Sequence, residues 1–440
     1  MTRAAHRRDT DRLPTQYRKP KTVTQIPDPA ALLRRLFDRA VEVSDPMQSL
    51  TRALPPKPKG RVVVVGAGKA SARMAEAVEA EWGPCEGLVI TRYGYACACA
   101  GIEIVEAAHP VPDAAGEAAT KRMLALLEGL GEGDFVLALV SGGGSALLTA
   151  PAGAITLPEK QFLTDALLAS GAPIGAINTI RKQISDVKGG RLAAAAYPAR
   201  MLALMISDVP GDNPADIASG PTVGDPGDAA TALAALARWG VTPPPAIKAY
   251  LEAGGAPLAP DDKRLSRVEN IIYAAPLQSL AAAADMARAA GLNPHILGDA
   301  LEGEARDIAA AQAREARDLQ DTMDSGHAPI LLLSGGELTV TRRGAGIGGP
   351  NAEFALALAL ALKGAPGIHA IACDTDGVDG AAEVAGAIIG PDTLAKGPDA
   401  AEALANNDAH GFFGRIGAQV VTGPTLTNVN DFRAILIQRP

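Results

Sequence analysis

The stretch Val62-Val63-Val64-Val65-Gly66-Ala67-Gly68-Lys69-Ala70-Ser71 decides the fold class. Four consecutive β-branched residues leave no polar side for water, so the run predicts a strand buried on both faces of a sheet. The glycines end it in a tight turn, and Met74, Ala77 and Val78 recur at helical spacing behind it. In such a turn backbone N–H groups approach an anion at the helix N-terminus, where the dipole favours negative charge. Gly66 and Gly68 are therefore candidate phosphate-binding residues with Lys69 as the point charge; a plain strand–helix turn is the alternative. Ser71 replaces the third glycine of the dinucleotide fingerprint, and the Walker spacing is absent. Arg92 and Tyr93 stand where an NAD-binding fold wants an acidic residue for the ribose.

Outward from this unit, apolar runs at 88–90, 135–140, 201–206, 270–273, 330–333 and 369–373, with a last one near Ile435, alternate with helical patterns such as 115–130 and 352–363. Up to residue 206 that alternation implies an α/β protein with a mostly parallel sheet and helices on both faces. A chain of 440 residues exceeds one ordinary core, so two domains are expected. The polar residues 1–28 read as a flexible extension, 29–265 as the first domain, 266–328 as a connecting segment and 329–440 as the second domain.

Apolar residues make up 48% of the chain and aromatics only 3%, so Ala, Val, Leu and Ile must fill the core. The net charge of -8 argues against a nucleic-acid partner, which demands a basic face. Cys97 and Cys99 are spaced too closely for a zinc site and, with Cys85 and Cys373, read as small apolar residues in a reducing compartment. The N-terminus lacks an apolar signal core, and the longest apolar run, 354–362, is about half of a membrane span. A cytoplasmic protein with no membrane partner is expected.

Two more glycine-rich loops follow buried runs: Ser141-Gly142-Gly143-Gly144-Ser145 and Ser334-Gly335-Gly336-Glu337. Three such loops at strand C-termini, where open α/β sheets bind ligands, point to one site. Asp208 and Asp212 follow the 201–206 strand; Asp374, Asp376 and Asp379 follow the 369–373 strand. Carboxylates there hold Mg²⁺ one or two at a time, or form Asx-turns that cap the next helix. Arg181, Lys182, Lys188 and Arg191 crowd a short segment; they read as a solvated helix face or, through a forked guanidinium, as a carboxylate clamp.

Taken together, the motifs resemble the glycerate 2-kinase family, whose C-terminal half is the MOFRL domain. The resemblance is carried by the block from Gly66 to Ala70, by His109-Pro110-Val111-Pro112-Asp113, by Ser141 to Ser145, and by Asn178-Thr179-Ile180-Arg181-Lys182 with Lys188 to Arg191. It continues through Ser207 to Asp212 with Ser219-Gly220-Pro221-Thr222, Ser334 to Glu337, Thr375 to Gly380, and Thr422 to Asp431. It implies a Rossmann-like, three-layer N-terminal domain, a separate smaller α/β C-terminal domain and an active site in the cleft between them. It also implies ATP and Mg²⁺, with D-glycerate as acceptor and 2-phosphoglycerate as product. The family's catalytic lysine falls on Lys69. Two departures stand out: Pro350 and Gln183 occupy positions where the family carries Arg and His.

Candidate catalytic residues are then Lys69, Asp208 and Asp376, and candidate metal ligands Asp208, Asp212, Asp376 and Asp379. The nucleotide side takes Gly66, Gly68, Gly335, Gly336, Glu337, Asn351 and Thr375; the acceptor side takes Ser141 to Ser145, Arg181 and Arg191. A homodimer is the assembly considered. The rival readings are an NAD(P)H-dependent hydroxypyruvate reductase, with Arg92 meeting a 2′-phosphate, and a non-catalytic nucleotide- or sugar-phosphate-binding regulator. Hydride transfer wants a His–carboxylate pair beside an Arg, and of six histidines only His109 sits in a candidate loop.

Overall fold

A computed structural model of the chain describes residues 25–254 and 257–440. The extension expected over 1–28 therefore lies almost wholly outside the described residues.

The first sheet contains β1 (Val62–Ala67), β2 (Glu86–Arg92), β3 (Ile102–Ala107), β4 (Phe135–Val140), β5 (Arg200–Ile206) and β6 (Val268–Ala274), in spatial order β3-β2-β1-β4-β5-β6. Every pairing in it is parallel. All six residues of β1 and of β4 are buried, as a continuous apolar run requires in a central strand. Alternate side chains feed two cores: Val63, Val65, Val136 and Ala138 on one face, Val62, Val64, Leu137 and Leu139 on the other. This is the expected three-layer arrangement. The strand order reverses between β1 and β4, and ligands of open α/β sheets bind at such a switch point.

The second sheet is built from β7 (Asn293–Gly298), β9 (Ile330–Ser334), β11 (Ile368–Asp374), β12 (Gly386–Ile389), β13 (Gln419–Val420) and β14 (Asp431–Ile437), ordered β13-β12-β11-β14-β9-β7. The short β8 (Gly303–Glu304) and β10 (Leu338–Thr339) pair separately. Only β7–β9 is parallel; the other four pairings are antiparallel. The mostly parallel sheet expected of the N-terminal domain is the first sheet, and the separate second sheet is mostly antiparallel. Here β11 returns as β12 through a turn rather than a helical crossover, and the last strand inserts between β11 and β9, which permits antiparallel ladders.

Packing crosses the expected boundaries. The helix Pro29–Ser44, assigned by sequence to the first domain, buries Leu33, Leu36 and Phe37 against Leu331, Leu333 and Phe432 of the second sheet. The segment 266–328, expected as a connector, contributes β6 to one sheet, β7 to the other, and the helix Pro276–Ala289 to the face that Pro29–Ser44 also covers. An apolar sheet face must be covered by something, and these two helices do it. The opposite face lies under Ala305–Asp321 and Pro350–Leu362. The helices Leu157–Ala169, Ile174–Gln183, Ala229–Arg238 and Pro245–Glu252 form a small core of their own around Leu163, Ile180, Leu236 and Ile247. Among the described residues no helix is long and apolar enough to cross a membrane.

Candidate active site

Two glycine turns meet above the switch point. Lys69 N donates to Gly142 O at 2.8 Å, Ala70 N to Ser141 Oγ at 3.0 Å and Gly68 N to Ile90 O at 3.1 Å. A Cβ on Gly66 would sit 2.2 Å from Leu139 O, and one on Gly68 would sit 2.1 Å from Ser141 Oγ. These glycines let the two turns touch. The amides of Lys69 and Ala70 are donated to the neighbouring turn and that of Gly68 to β2, so Gly66 and Gly68 shape the site from behind. Ser141 is fully buried in the same stitching, and Ser145 Oγ meets Ser219 Oγ at 2.7 Å.

Gly142 and Gly143 face the cleft. A Cβ on Gly142 would lie 2.1 Å from Asp208 Oδ2 and 2.3 Å from Asn428 Nδ2; one on Gly143 would lie 3.1 Å from the His109 ring and 3.2 Å from Lys69 Cγ. A side chain at Gly142 is excluded by the groups that converge there. Gly144 packs on Ala218 and Ala67.

Lys69 Nζ pairs with Asp376 Oδ2 of the second lobe. Burial works against the ammonium, but Asp376, Asp374 and Asp208 hold its pKa above the ordinary lysine value. Asp376 is fully buried, and its other oxygen accepts from Val378 N at 2.8 Å. Asp374 accepts from Asp376 N at 2.9 Å; burial and the Asp376 charge push its carboxyl well above the usual range. Asn428 Nδ2 donates to Asp208 Oδ2 at 3.3 Å and Asn430 Nδ2 to Asp208 O at 3.0 Å, a second bond between lobes. Burial raises the Asp208 pKa to about 6, Asp376 adding and Lys69 opposing. Glu337 stands in the cleft within reach of water, yet the surrounding walls, Asp208 and Asp431 push its carboxyl up to about 7.

Lys69, Asp208, Glu337 and Asn428 line a cleft of about 320 Å³ whose walls also include Arg92, His109, Asp374, Asn430 and Asp431, while the fully buried Asp376 is not in its lining. Sequence reasoning gave Asn428, Asn430 and Asp431 no role, although the block Thr422 to Asp431 that contains them was recognised, and noted Asp374 only as one of the strand-end carboxylates able to hold Mg²⁺. His109 is a neutral imidazole, its pKa lowered to about 3 by burial, Lys69 and Arg92.

Other candidates are engaged by local bonds. Asp379 lines the cleft, but it accepts from Asn351 N at 3.0 Å, Ala352 N at 2.8 Å and His410 Nε2 at 2.9 Å and so caps the helix Pro350–Leu362. Asn351 Nδ2 donates to Asp431 Oδ1 at 2.6 Å, and Thr375 Oγ1 donates to Asn430 O at 2.7 Å. Asp212 is absent from the cleft lining. Gly336, at φ +95°, and Gly335 let residues 299–301 cross the end of β9, and their carbonyls accept from the buried Arg433. Arg191 pairs with Asp186 at 3.1 Å, whereas Arg181 is half-buried and makes no ion pair among the described residues. Near Pro350 the cation that lines the cleft is Arg92, held by Glu383 at 3.0 Å; Arg342 and Arg343 do not line it.

The donor set suits a magnesium nucleotide. Among the described residues no three His, Cys, Asp or Glu side chains are placed to hold an ion by themselves. Mg²⁺ on a nucleotide needs only one or two carboxylates, the phosphates and water supplying the rest. Asp374 and Asp376 are crowded acids beside a lysine, the pattern in which a cation relieves like-charge repulsion.

Comparison with known proteins agrees in extent and in fold. Residues 32–252 match a family described as a domain of unknown function, DUF4147, and residues 330–431 match the MOFRL family. A protein of Agrobacterium vitis that carries the provisional name hydroxypyruvate reductase is 51% identical over 92% of this chain and 94% of its own. The D-glycerate 2-kinase of Thermotoga maritima is 38% identical over 92% of this chain and 98% of its own. The crystal structure of glycerate kinase from Thermotoga maritima superposes with a TM-score of 0.81 at 36% identity, covering 93% of this chain and 99% of that one.

Proposed function

This chain belongs to the glycerate 2-kinase family, and from that premise we propose that it transfers the γ-phosphoryl group of ATP, with Mg²⁺, to the 2-hydroxyl of D-glycerate. The acceptor oxygen forms its bond to phosphorus as the bridge to the leaving diphosphate breaks, and 2-phosphoglycerate results. The observation that carries the reading is Lys69 of one lobe set among Asp208, Asp374 and Asp376 at the mouth of a polar cleft between lobes.

Phosphoryl transfer is catalysed mostly by alignment and by stabilising charge on the transferring oxygens. Lys69 serves that purpose and Arg92 adds a second cation. Asp374 and Asp376 would hold the magnesium ion, which neutralises phosphate charge when bound. Asp208 takes the hydroxyl proton: a carboxylate with a pKa near 6 is ionised at neutral pH yet basic enough to accept it. Arg181, rather than the Asp186-paired Arg191, meets the carboxylate of glycerate. The four cysteines are free thiols, which suits a cytoplasmic enzyme.

The reductase name that some relatives carry finds less support in the cleft. Hydride transfer to a keto acid uses a protonated His held by a carboxylate. His109 has no carboxylate partner among the described residues, and its surroundings favour the neutral ring. The deciding experiment incubates the protein with ATP, Mg²⁺ and D-glycerate and separates 2- from 3-phosphoglycerate, beside an NADPH absorbance assay with hydroxypyruvate. Formation of 2-phosphoglycerate with flat absorbance is expected; NADPH oxidation without a phosphorylated product overturns the proposal.

A further inference from the structure

Behind the turn at 142–145 lies a set of cations that the reaction outlined above leaves unused. Lys160, in the helix Leu157–Ala169, is 3% exposed, and its Nζ donates to Thr149 Oγ1 at 2.7 Å. Lys188 is fully buried, and its Nζ donates to Leu148 O at 2.8 Å. Leu148 and Thr149 directly follow the short helix Gly144–Leu147, so both amines gather behind the glycine turn. The Arg181 charge lowers the pKa of both amines and of His109 in the cleft wall, although none of the three cations itself lines the cleft of about 320 Å³. No carboxylate forms an ion pair with any of the three among the described residues. Glu117 reaches Lys160 only from a distance and is itself paired with Lys121 at 2.6 Å.

Burying a cation without a counter-charge is costly, and three that repel one another cost more. A protein meets this by discharging the group or by supplying an anion. Burial pulls Lys160 down to about 7 and lowers Lys188 strongly, so the amines can yield their protons. A guanidinium cannot. Arg181 therefore keeps a charge that nothing nearby compensates, with Lys160 beside it ready to hold or release a proton near neutrality. Its helix is fixed to the glycine turn: Ser219 Oγ donates to Asn178 Oδ1 at 3.2 Å and meets Ser145 Oγ at 2.7 Å.

We propose that Arg181 and Lys160 together form the seat of the acceptor's carboxylate, with Lys160 a specificity-determining residue that favours hydroxy acids over neutral polyols. The carboxylate supplies the missing counter-charge, and the planar fork of Arg181 matches it. The acceptor's identity rests on the kinase reading; the need for an anion does not.

Equilibrium binding tests this without turnover. D-glycerate is titrated calorimetrically into the full chain, with and without a non-hydrolysable ATP analogue. Lys160→Met and Arg181→Gln are each expected to weaken it roughly tenfold to hundredfold, the span of a charge-assisted hydrogen bond, with binding of the ATP analogue unchanged. Acetate should compete with D-glycerate on the wild type and not on Arg181→Gln, a readout that a merely structural role leaves unmoved. The part-exposed Arg181 carries the test if Lys160→Met does not fold. Wild-type affinity in variants that melt like the parent overturns the seat, as does a wild type that binds neither D-glycerate nor acetate. Binding that follows this pattern without phosphoglycerate formation keeps the seat and sinks the kinase proposal.

Discussion

Lys69 and Asp376 stand 307 residues apart in the chain and form a direct ion pair across the cleft. The lysine is held where incoming phosphate oxygens and the acid both compete for it. Lys69→Met is expected to fold, since the lobes stay joined through Asp208 with Asn428 and Asn430. Its turnover should fall by about 10²–10³, the cost of removing one charge-stabilising donor. Near-native kcat in a variant with unchanged melting would remove Lys69 from the chemistry.

Gly142→Ala tests the geometry with no change of charge. The added methyl carbon would sit 2.1 Å from Asp208 Oδ2, so the carboxylate, Asn428 or the lobe that carries it must move. A displacement of about 1 Å at the reacting groups is enough to cost roughly 100-fold in rate. Steady-state kinetics should show kcat falling with little change in melting temperature. Gly68→Ala should do the reverse and lose stability first, because its φ of +146° and its contact with Ser141 lie within the stitched turns.

Much of the first lobe was legible because a strand buried on both faces must be apolar throughout, as β1 and β4 are and β5 is beyond its exposed first residue, Arg200. Strand direction in the second sheet was not. Periodicity records which residues are buried but not which neighbour they pair with, so the insertion of β14 between β11 and β9 leaves no local trace. The same blindness hides the partner of Pro29–Ser44, whose apolar stripe is plain while the sheet it covers is not. Of the side chains that come together between the lobes, Lys69, Asp208 and Asp376 were singled out because a charge after a buried strand is conspicuous. Gly66 and Gly68 were misread for a physical reason: a glycine that admits a ligand and one that admits a neighbouring turn look alike. Asp379 posed the matching ambiguity and proved to be a helix cap. Lys160 was invisible, being one lysine in an ordinary helical pattern.

The packing of Pro29–Ser44 on the second lobe predicts where truncation acts. Phe37 is fully buried and meets Phe432 with ring centroids 5.9 Å apart. Phe37→Ala should cost about 3–5 kcal/mol of stability, the usual range for emptying such a site. Hydrogen exchange should speed up in β9, β11 and β14 and stay slow in β1 and β4. Faster exchange in the first sheet instead would return this helix to the first lobe.

Lys160 predicts a pH dependence whose sign differs between stability and binding. Its pKa falls from the ordinary lysine value to about 7 on folding, through burial and the nearby Arg181, with Glu117 opposing weakly. The unfolded chain therefore binds more protons between about pH 7 and 10, and this group's contribution to stability rises with pH across that window. A carboxylate prefers the charged amine and raises its pKa again, so binding takes up a proton above pH 7. Affinity for D-glycerate should then decline above pH 7, by at most about tenfold per unit for a single proton. The Michaelis constant for D-glycerate should rise across pH 7 to 9 while that for ATP does not follow it, and Lys160→Met should flatten the profile at its weaker level. A wild-type profile already flat through this range would mean that Lys160 does not titrate against the acceptor.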